Sequence, residues 1–231
     1  MAALDRLLAD LRAIFAARLT TLVVYGRHAT TSAPPGLPIH SLALVDEVEF
    51  ADLDACARAA GGWHGDGLAV PLIMGQREFS RSLDSFPVEF GAIIASHRVI
   101  YGDDPFRGMG VAEQDLRRAI ELDIKGHLLH LREAYIESRG EPAAVARLVE
   151  ASAAALRTLA ANVAHLDGEP AGTPSALSAH LTAKLGPTDG RTLSSVLALG
   201  DPGMGAGDGA RLFPAYLTAV EALASYVDAW K

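Results

Sequence analysis

The sequence changes character near Phe106. Short runs rich in β-branched and other apolar residues occur only before it, in LTTLVVYG, SLALV, LAVPLIM and HRVIY. After it, apolar residues recur at helical spacing over about 112–138, 142–166, 174–185, 191–199 and 209–230. This arrangement predicts an α/β domain over residues 1–108, followed by an all-α helical bundle domain over residues 109–231.

Helix and strand patterns follow one another closely in the first part. Helices are predicted over 3–18, 50–60, 76–84 and 88–96. The stretch GGWHGDG, which begins at Gly61, is predicted to be a turn-rich link because of its glycines. Pro71 places the third apolar run at a sheet edge or a bulge, since proline lacks the N–H that a central strand needs.

The composition favours a packed cytoplasmic protein. Half of the 231 residues are hydrophobic and 21% are charged, which is typical of a folded chain. The net charge of −8 argues against a broad nucleic-acid surface. Cys56 is the one cysteine, so no internal disulfide forms, and the chain shows neither a secretory signal nor an apolar run of membrane-spanning length. We expect neither a membrane nor a nucleic acid as partner.

The loop between the first two strands has the length and position of a catalytic loop. The stretch VVYGRHATTSAPPGLPIHSLALV, residues 23–45, passes from a strand through Gly26 and a loop into a second strand. Its spacing resembles the core motif of the nucleotidyltransferase superfamily: an apolar strand, Gly-Ser, a second Gly, then Ser-Asp-x-Asp before another apolar strand. SLDSFPVEFGAIIASHRVIYGDDPF, residues 82–106, also resembles a segment of bacterial nucleotidyltransferase-like proteins with a helical C-terminal half. The resemblance covers about residues 10–135 and implies a nucleotidyltransferase-like domain with a small mixed sheet.

The residues that carry the chemistry of this superfamily are replaced. Arg27 stands at the Ser, Thr31 at the second Gly, and Pro38-Ile39-His40 at Asp-x-Asp. In the family, the two Asp hold the metal ions that bridge nucleotide phosphates, and hard Mg²⁺ needs such anionic oxygen ligands. Pro38 offers no ligand, and His40 offers a nitrogen without negative charge. The resemblance with these departures predicts a catalytically degenerate protein with no catalytic residues, metal or cofactor.

The altered loop still carries groups suited to anions. Gly26, Arg27, His28 and His40 are the candidate nucleotide- or anion-binding residues, since Arg binds phosphate in a fork geometry. The first interpretation is therefore a protein that acts by binding a nucleotide or a partner protein. In a second interpretation, the side chains of Arg27, His28 and His40 are solvated or fill the cleft, and the protein is purely structural or an interaction module.

A further alternative is an active nucleotidyltransferase with a different carboxylate set. It requires Mg²⁺ and acidic side chains from elsewhere in the fold. Asp46, Glu47, Asp66 and Glu89 are the candidates for that set. The position of these four acids relative to Gly26 therefore decides between the interpretations.

Two features mark the helical part. His127 and His130 lie three residues apart, a spacing that can chelate a metal, although the adjacent apolar stripe favours histidines that flank a packed seam. Residues 212–230 have a broad apolar face. That face predicts a helix that closes the bundle, and it could also supply a homodimer seam through the helical domain.

Overall fold

The computed structural model describes residues 2–29, 36–169, 173–199 and 209–230. It divides into two compact units, Met1–Ala112 and Glu113–Lys231. The first combines a small mixed sheet with helices and the second is helical, which confirms the predicted fold class. Over the described ranges, no helix has the length and apolar character needed to cross a membrane.

The first unit is built on a sheet with strand order β3-β2-β1-β4. Its elements are α1 (Ala2–Phe15), β1 (Leu19–Tyr25), β2 (His40–Val45), α2 (Phe50–Gly65), β3 (Leu72–Gly75), α3 (Gln76–Phe79), α4 (Pro87–Ala95) and β4 (His97–Tyr101). Strand β1 is antiparallel to both β2 and β4, whereas β2 and β3 are parallel. Because β1 and β2 are the inner strands, both of their faces are buried, which explains their almost unbroken apolar sequences.

Each face of the sheet carries its own core. Alternate residues of a strand point to opposite faces, so Leu22 and Val24 belong to one core and Val23 to the other. The first core joins the sheet to buried residues of α1 and α2: Leu7, Leu11, Phe15 and Trp63. The second joins it to the segment from α3 to the turn after β4 through Phe79, Phe90, Ile93 and Phe106. Phe79 contacts both Phe90 and Phe106 edge to face, with ring centroids 5.6 Å apart.

The structure corrects the predicted link at GGWHGDG. Helix α2 continues to Gly65, so most of that stretch is helical. Trp63 is buried, and its indole N–H donates a hydrogen bond to Asp10 Oδ2 at 2.9 Å. Burial of this indole therefore outweighs the weak helix propensity of the two preceding glycines. Pro71 lies immediately before β3, which is an edge strand, in agreement with the predicted edge position of this apolar run.

The second unit is a helical bundle. Three of its described helices begin at a proline, one more than the sequence predicts. Its elements are α5 (Glu113–Glu137), α6 (Pro142–Leu166), α7 (Pro174–Leu185), α8 (Pro187–Leu199) and α9 (Gly209–Asp228). The predicted bounds of α6 and α7 are confirmed, but α8 begins four residues before the predicted position 191. Gly186, with φ of +84°, ends α7, and Pro187 then begins α8 at once. Residues 200–208, between the predicted helical ranges 191–199 and 209–230, lie outside the described residues.

Asp167, which ends α6, is the polar centre of this bundle. Its carboxylate accepts hydrogen bonds from Tyr226 at 2.7 Å, Trp230 at 3.0 Å and His180 at 2.8 Å. Lys184 Nζ lies 3.5 Å from the same carboxylate, whose side chain is only 3% exposed. Burial alone would raise the pKa of Asp167, but these donors and the lysine together lower it. One buried anion thus ties α6 to α7 and to the end of α9.

Helices α7 and α8 approach each other very closely at Gly190. A Cβ added there would lie 2.3 Å from Thr182 Cα and 2.7 Å from Thr182 N. These are backbone atoms, so no side-chain rotation can relieve the contact. Only glycine permits this packing of the two helices.

Candidate functional site

Three strand ends meet where the sequence predicts the anion site. Tyr25, the last residue of β1, pairs with His40 at the start of β2 and with His97 at the start of β4. Directly opposed residues of antiparallel strands project to the same face, so these three rings form a row across the sheet end. The Tyr25 and His40 rings lie 5.8 Å apart between centroids. Burial raises the pKa of the Tyr25 hydroxyl, so Tyr25 stays neutral at physiological pH.

The glycine turn after β1 is closed by backbone contacts. Gly26 has φ of +71°, a conformation that L side chains rarely adopt. Its N–H donates to Ser96 O at 2.8 Å, and the Ser96 hydroxyl donates to Gly26 O at 3.2 Å. The amide that could approach a phosphate is therefore already hydrogen-bonded to the end of α4. The assignment of Gly26 to an anion-binding site stays a prediction.

His28 and Arg27 follow in a short 3₁₀ turn, Gly26–His28. His28 Nε2 lies 3.0 Å from the carbonyl oxygen of Leu37, across the base of the loop. This contact joins the turn after β1 to the segment before β2, and Arg27 is exposed. Thr31, at the position of the family's second glycine, lies outside the described residues.

His97 was not singled out from the sequence. Its Nδ1 lies 3.1 Å from Ile94 O, and its Nε2 lies 3.2 Å from Asp104 Oδ1. Asp104 Oδ1 also accepts the N–H of Phe106 at 2.9 Å, so the turn YGDDPF folds back onto β4. The only signal for this contact in the sequence was an acidic pair in a turn. These contacts support a structural role for His97, which fixes the start of β4 beside Tyr25.

The four acids of the active-enzyme alternative are dispersed. Asp46 and Glu47 follow β2 at the end opposite to His40, and six residues of extended chain span about 20 Å. Asp46 N–H donates to Arg18 O, which places it beside the start of β1. Asp66 forms an ion pair with Arg6 at 2.5 Å.

Glu89 is the remaining acid of that set. It is exposed in the first turn of α4, a helix that covers the sheet face to which Tyr25 and His40 point. Across the described part of the chain, no three His, Cys, Asp or Glu side chains are grouped so that they could hold a metal ion. The four acids therefore do not form one site.

The helical histidines are also separated. His127 Nε2 lies 2.8 Å from Tyr216 Oη, inside the bundle, and Ser152 Oγ lies 3.1 Å from the same oxygen. Burial raises the pKa of Tyr216 to about 12, and burial lowers the pKa of His127, with a smaller effect of nearby His130. His130 itself is on the surface, 3.5 Å from Glu133. The two histidines therefore have different surroundings, and His127 packs inside the bundle as the packed-seam interpretation expects.

Comparisons with known proteins identify the fold. No family model and no curated protein sequence matches the chain. Among solved structures, the chain is similar to a spectinomycin adenyltransferase from Enterococcus faecialis, crystallised with ATP and spectinomycin. The two share 12% sequence identity and superimpose with a TM-score of 0.57 over 95% of this chain and 98% of the adenyltransferase. The similarity shows a nucleotidyltransferase-like fold over nearly the whole chain.

Proposed function

We propose that this chain is a nucleotidyltransferase-like protein that has lost nucleotidyl transfer and acts by binding. The observation that carries the proposal is the residue set at the end of β1 and β2. Pro38 and His40 stand where two metal-binding carboxylates would be, and Tyr25 packs beside His40. Two-metal phosphoryl transfer needs clustered anionic ligands. The acids that could replace them are at the other end of β2, paired with Arg6, or single on α4.

A nucleotide is the ligand that the remaining groups suit best. Arg27 and the imidazole of His40 offer cationic or donor groups for phosphate oxygens without a metal ion. The similar adenyltransferase was crystallised with ATP, which supports an ancestral nucleotide site in this fold. The hydrogen-bonded Gly26 amide weakens such a site, so binding relies on side chains. A partner protein is the alternative ligand.

Calorimetric titration tests the nucleotide. We expect ATP, GTP or CTP to bind weakly, with the same dissociation constant in Mg²⁺ and in EDTA, because no metal ligand set contributes. Arg27→Gln should weaken binding about tenfold, as expected for loss of a charge-assisted hydrogen bond. Arg147→Gln, an exposed arginine on α6, is the matched control and should change nothing. Absence of heat with all three nucleotides would reject the nucleotide and leave the partner protein.

Transfer activity is tested separately. The full chain, incubated with labelled nucleoside triphosphates, Mn²⁺ or Mg²⁺ and cell extract, should give no labelled product above a heated control. The physical reason is the missing carboxylate cluster, since metal-bridged phosphates need it. Labelled product that disappears in Glu89→Gln would contradict the proposal and support the active-enzyme alternative. Spectinomycin belongs among the acceptors, because the similar adenyltransferase was crystallised with it.

A further inference from the structure

Helix α5 carries a row of exposed apolar side chains on its outer face. Leu122, Leu129 and Ile136 are 72%, 57% and 74% exposed. They recur every seven residues, so they lie on one line along the helix. The opposite face of α5, which includes Ile120 and Ile124, is fully buried in the bundle. We call Leu122, Leu129 and Ile136 the α5 stripe.

The two sides of the α5 stripe carry opposite charge. Arg118, Lys125 and Arg132, each four residues before a stripe residue, form a basic flank. Asp123 and Glu137, each one residue after a stripe residue, form an acidic flank, with His130 between them. In coiled coils, charges of opposite sign on the two sides of the apolar stripe determine whether the helices pair parallel or antiparallel.

We propose that the α5 stripe is the contact of a weak homodimer, with two copies of α5 side by side and parallel. A twofold axis parallel to the helices brings the basic flank of one copy against the acidic flank of the other. Each basic residue then faces the residue five positions later in the second copy: Arg118 faces Asp123, and Arg132 faces Glu137. An antiparallel pair would place like charges together, so the sequence of α5 complements itself only in parallel.

The packing surface supports a second copy as the occupant. Ala119 and Gly126 lie beside the α5 stripe, and a Cβ added at Gly126 would meet no atom of the chain. Small residues there let two helices approach closely. The homodimer seam predicted on residues 212–230 does not agree with the structure, because Tyr216, Val220 and Leu223 are buried within the bundle. The exposed heptad spacing on α5 replaces it as the dimer surface.

The dimer is expected to be weak for three physical reasons. Three stripe residues span only about 21 Å of helix, so the buried area is at the low end for specific interfaces. Glu133 lies next to the stripe and faces its own copy across the twofold axis. The basic flank also has partners within its own chain, such as Glu221 2.7 Å from Arg132. Both groups of that pair are about half exposed, and such surface pairs exchange at little cost.

Sedimentation velocity of the full chain from about 1 to 300 µM tests this surface. We expect a monomer–dimer equilibrium with a dissociation constant of tens of micromolar. Leu129→Glu should leave only monomer over this range, because it places a charge in the seam. Leu53→Glu, at an exposed leucine on α2, is the control and should leave the equilibrium unchanged. Circular dichroism confirms that both variants are folded. Only monomer at 300 µM, or an unchanged dimer in Leu129→Glu, would overturn the proposal.

Charge variants test the parallel orientation. His130→Glu places a carboxylate opposite Lys125 of the second copy, so dimerisation should tighten about threefold. An antiparallel dimer would bring this glutamate to the acidic flank of the other copy and weaken association instead. Glu137→Lys should weaken the dimer, and Arg132→Glu in the same chain should restore it. Tightening of the dimer by Glu137→Lys, or weakening by His130→Glu, would reject the parallel arrangement.

Discussion

Asp167→Ala is expected to reduce the unfolding free energy of the helical unit by about 3–5 kcal/mol, the range for removing one member of a buried charged network. The variant leaves the Tyr226 hydroxyl and the Trp230 N–H without their buried acceptor, and it leaves His180 without its carboxylate. Chemical denaturation followed by circular dichroism measures the loss. Asp228→Ala, at an exposed acid on α9, is the control and should change stability by less than about 0.5 kcal/mol.

The pH dependence of stability gives this prediction a second readout. The folded pKa of Asp167 is lower than its unfolded value, so the carboxylate contributes its full stabilisation above about pH 5. That contribution decreases as the pH falls from the unfolded pKa to the folded pKa, because over this range the unfolded state takes up the proton and the folded state does not. Asp167→Asn cannot titrate, so its stability deficit relative to the wild type should shrink between about pH 5 and pH 3. A deficit that stays constant over this range would contradict the proposed role of the charge.

Gly190→Ala is expected to destabilise the same unit by about 3 kcal/mol, at the upper end for overpacking a close contact. The added methyl would overlap the backbone of Thr182, so α7 and α8 must move apart. Thermal and chemical denaturation should both show the loss.

Gly126→Ala provides the matched control for that substitution. Gly126 is also inside a helix, but an added Cβ meets no neighbour, so alanine should stabilise α5 by about 0.5–1 kcal/mol. The measurement belongs at low micromolar concentration, where the chain is monomeric. Equal effects of the two substitutions would show that the contact with Thr182 does not limit the packing.

Local rules predicted the helical part well because its boundaries are set locally. Prolines fit the first turn of a helix, and Pro142 and Pro174 begin α6 and α7 as predicted. The same rule explains the misplaced start of α8, since Pro187 was not used as a helix start. The error at GGWHG has the opposite origin. There the tertiary contact between Trp63 and Asp10, from α1, decides the structure, and no local pattern shows it.

The candidate site was predicted only in its outline. The spacing from Gly26 to His40 placed the sheet end correctly, because strand, turn and strand are adjacent in sequence. Ser96, which precedes β4, contacts Gly26, and His97 at the start of β4 pairs with Tyr25. Both residues lie far from β1 in sequence, and no local sequence pattern indicates pairing between distant strands. Asp167 was missed for the same reason. Its hydrogen-bond donors lie on two later helices, and nothing near position 167 distinguishes it from an ordinary helix-ending acid.

The order of the strands has a consequence for synthesis of the chain. Strand β1 is central and is made before its second neighbour, β4, which follows only after the whole segment up to Ser96. Until then, one side of β1 presents bare amide and carbonyl groups, which are a template for aggregation. The nascent first unit is therefore prone to aggregation until the β4 sequence HRVIY leaves the ribosome and pairs with β1. Any translational pause or premature stop before His97 leaves the sheet without the strand that closes that edge.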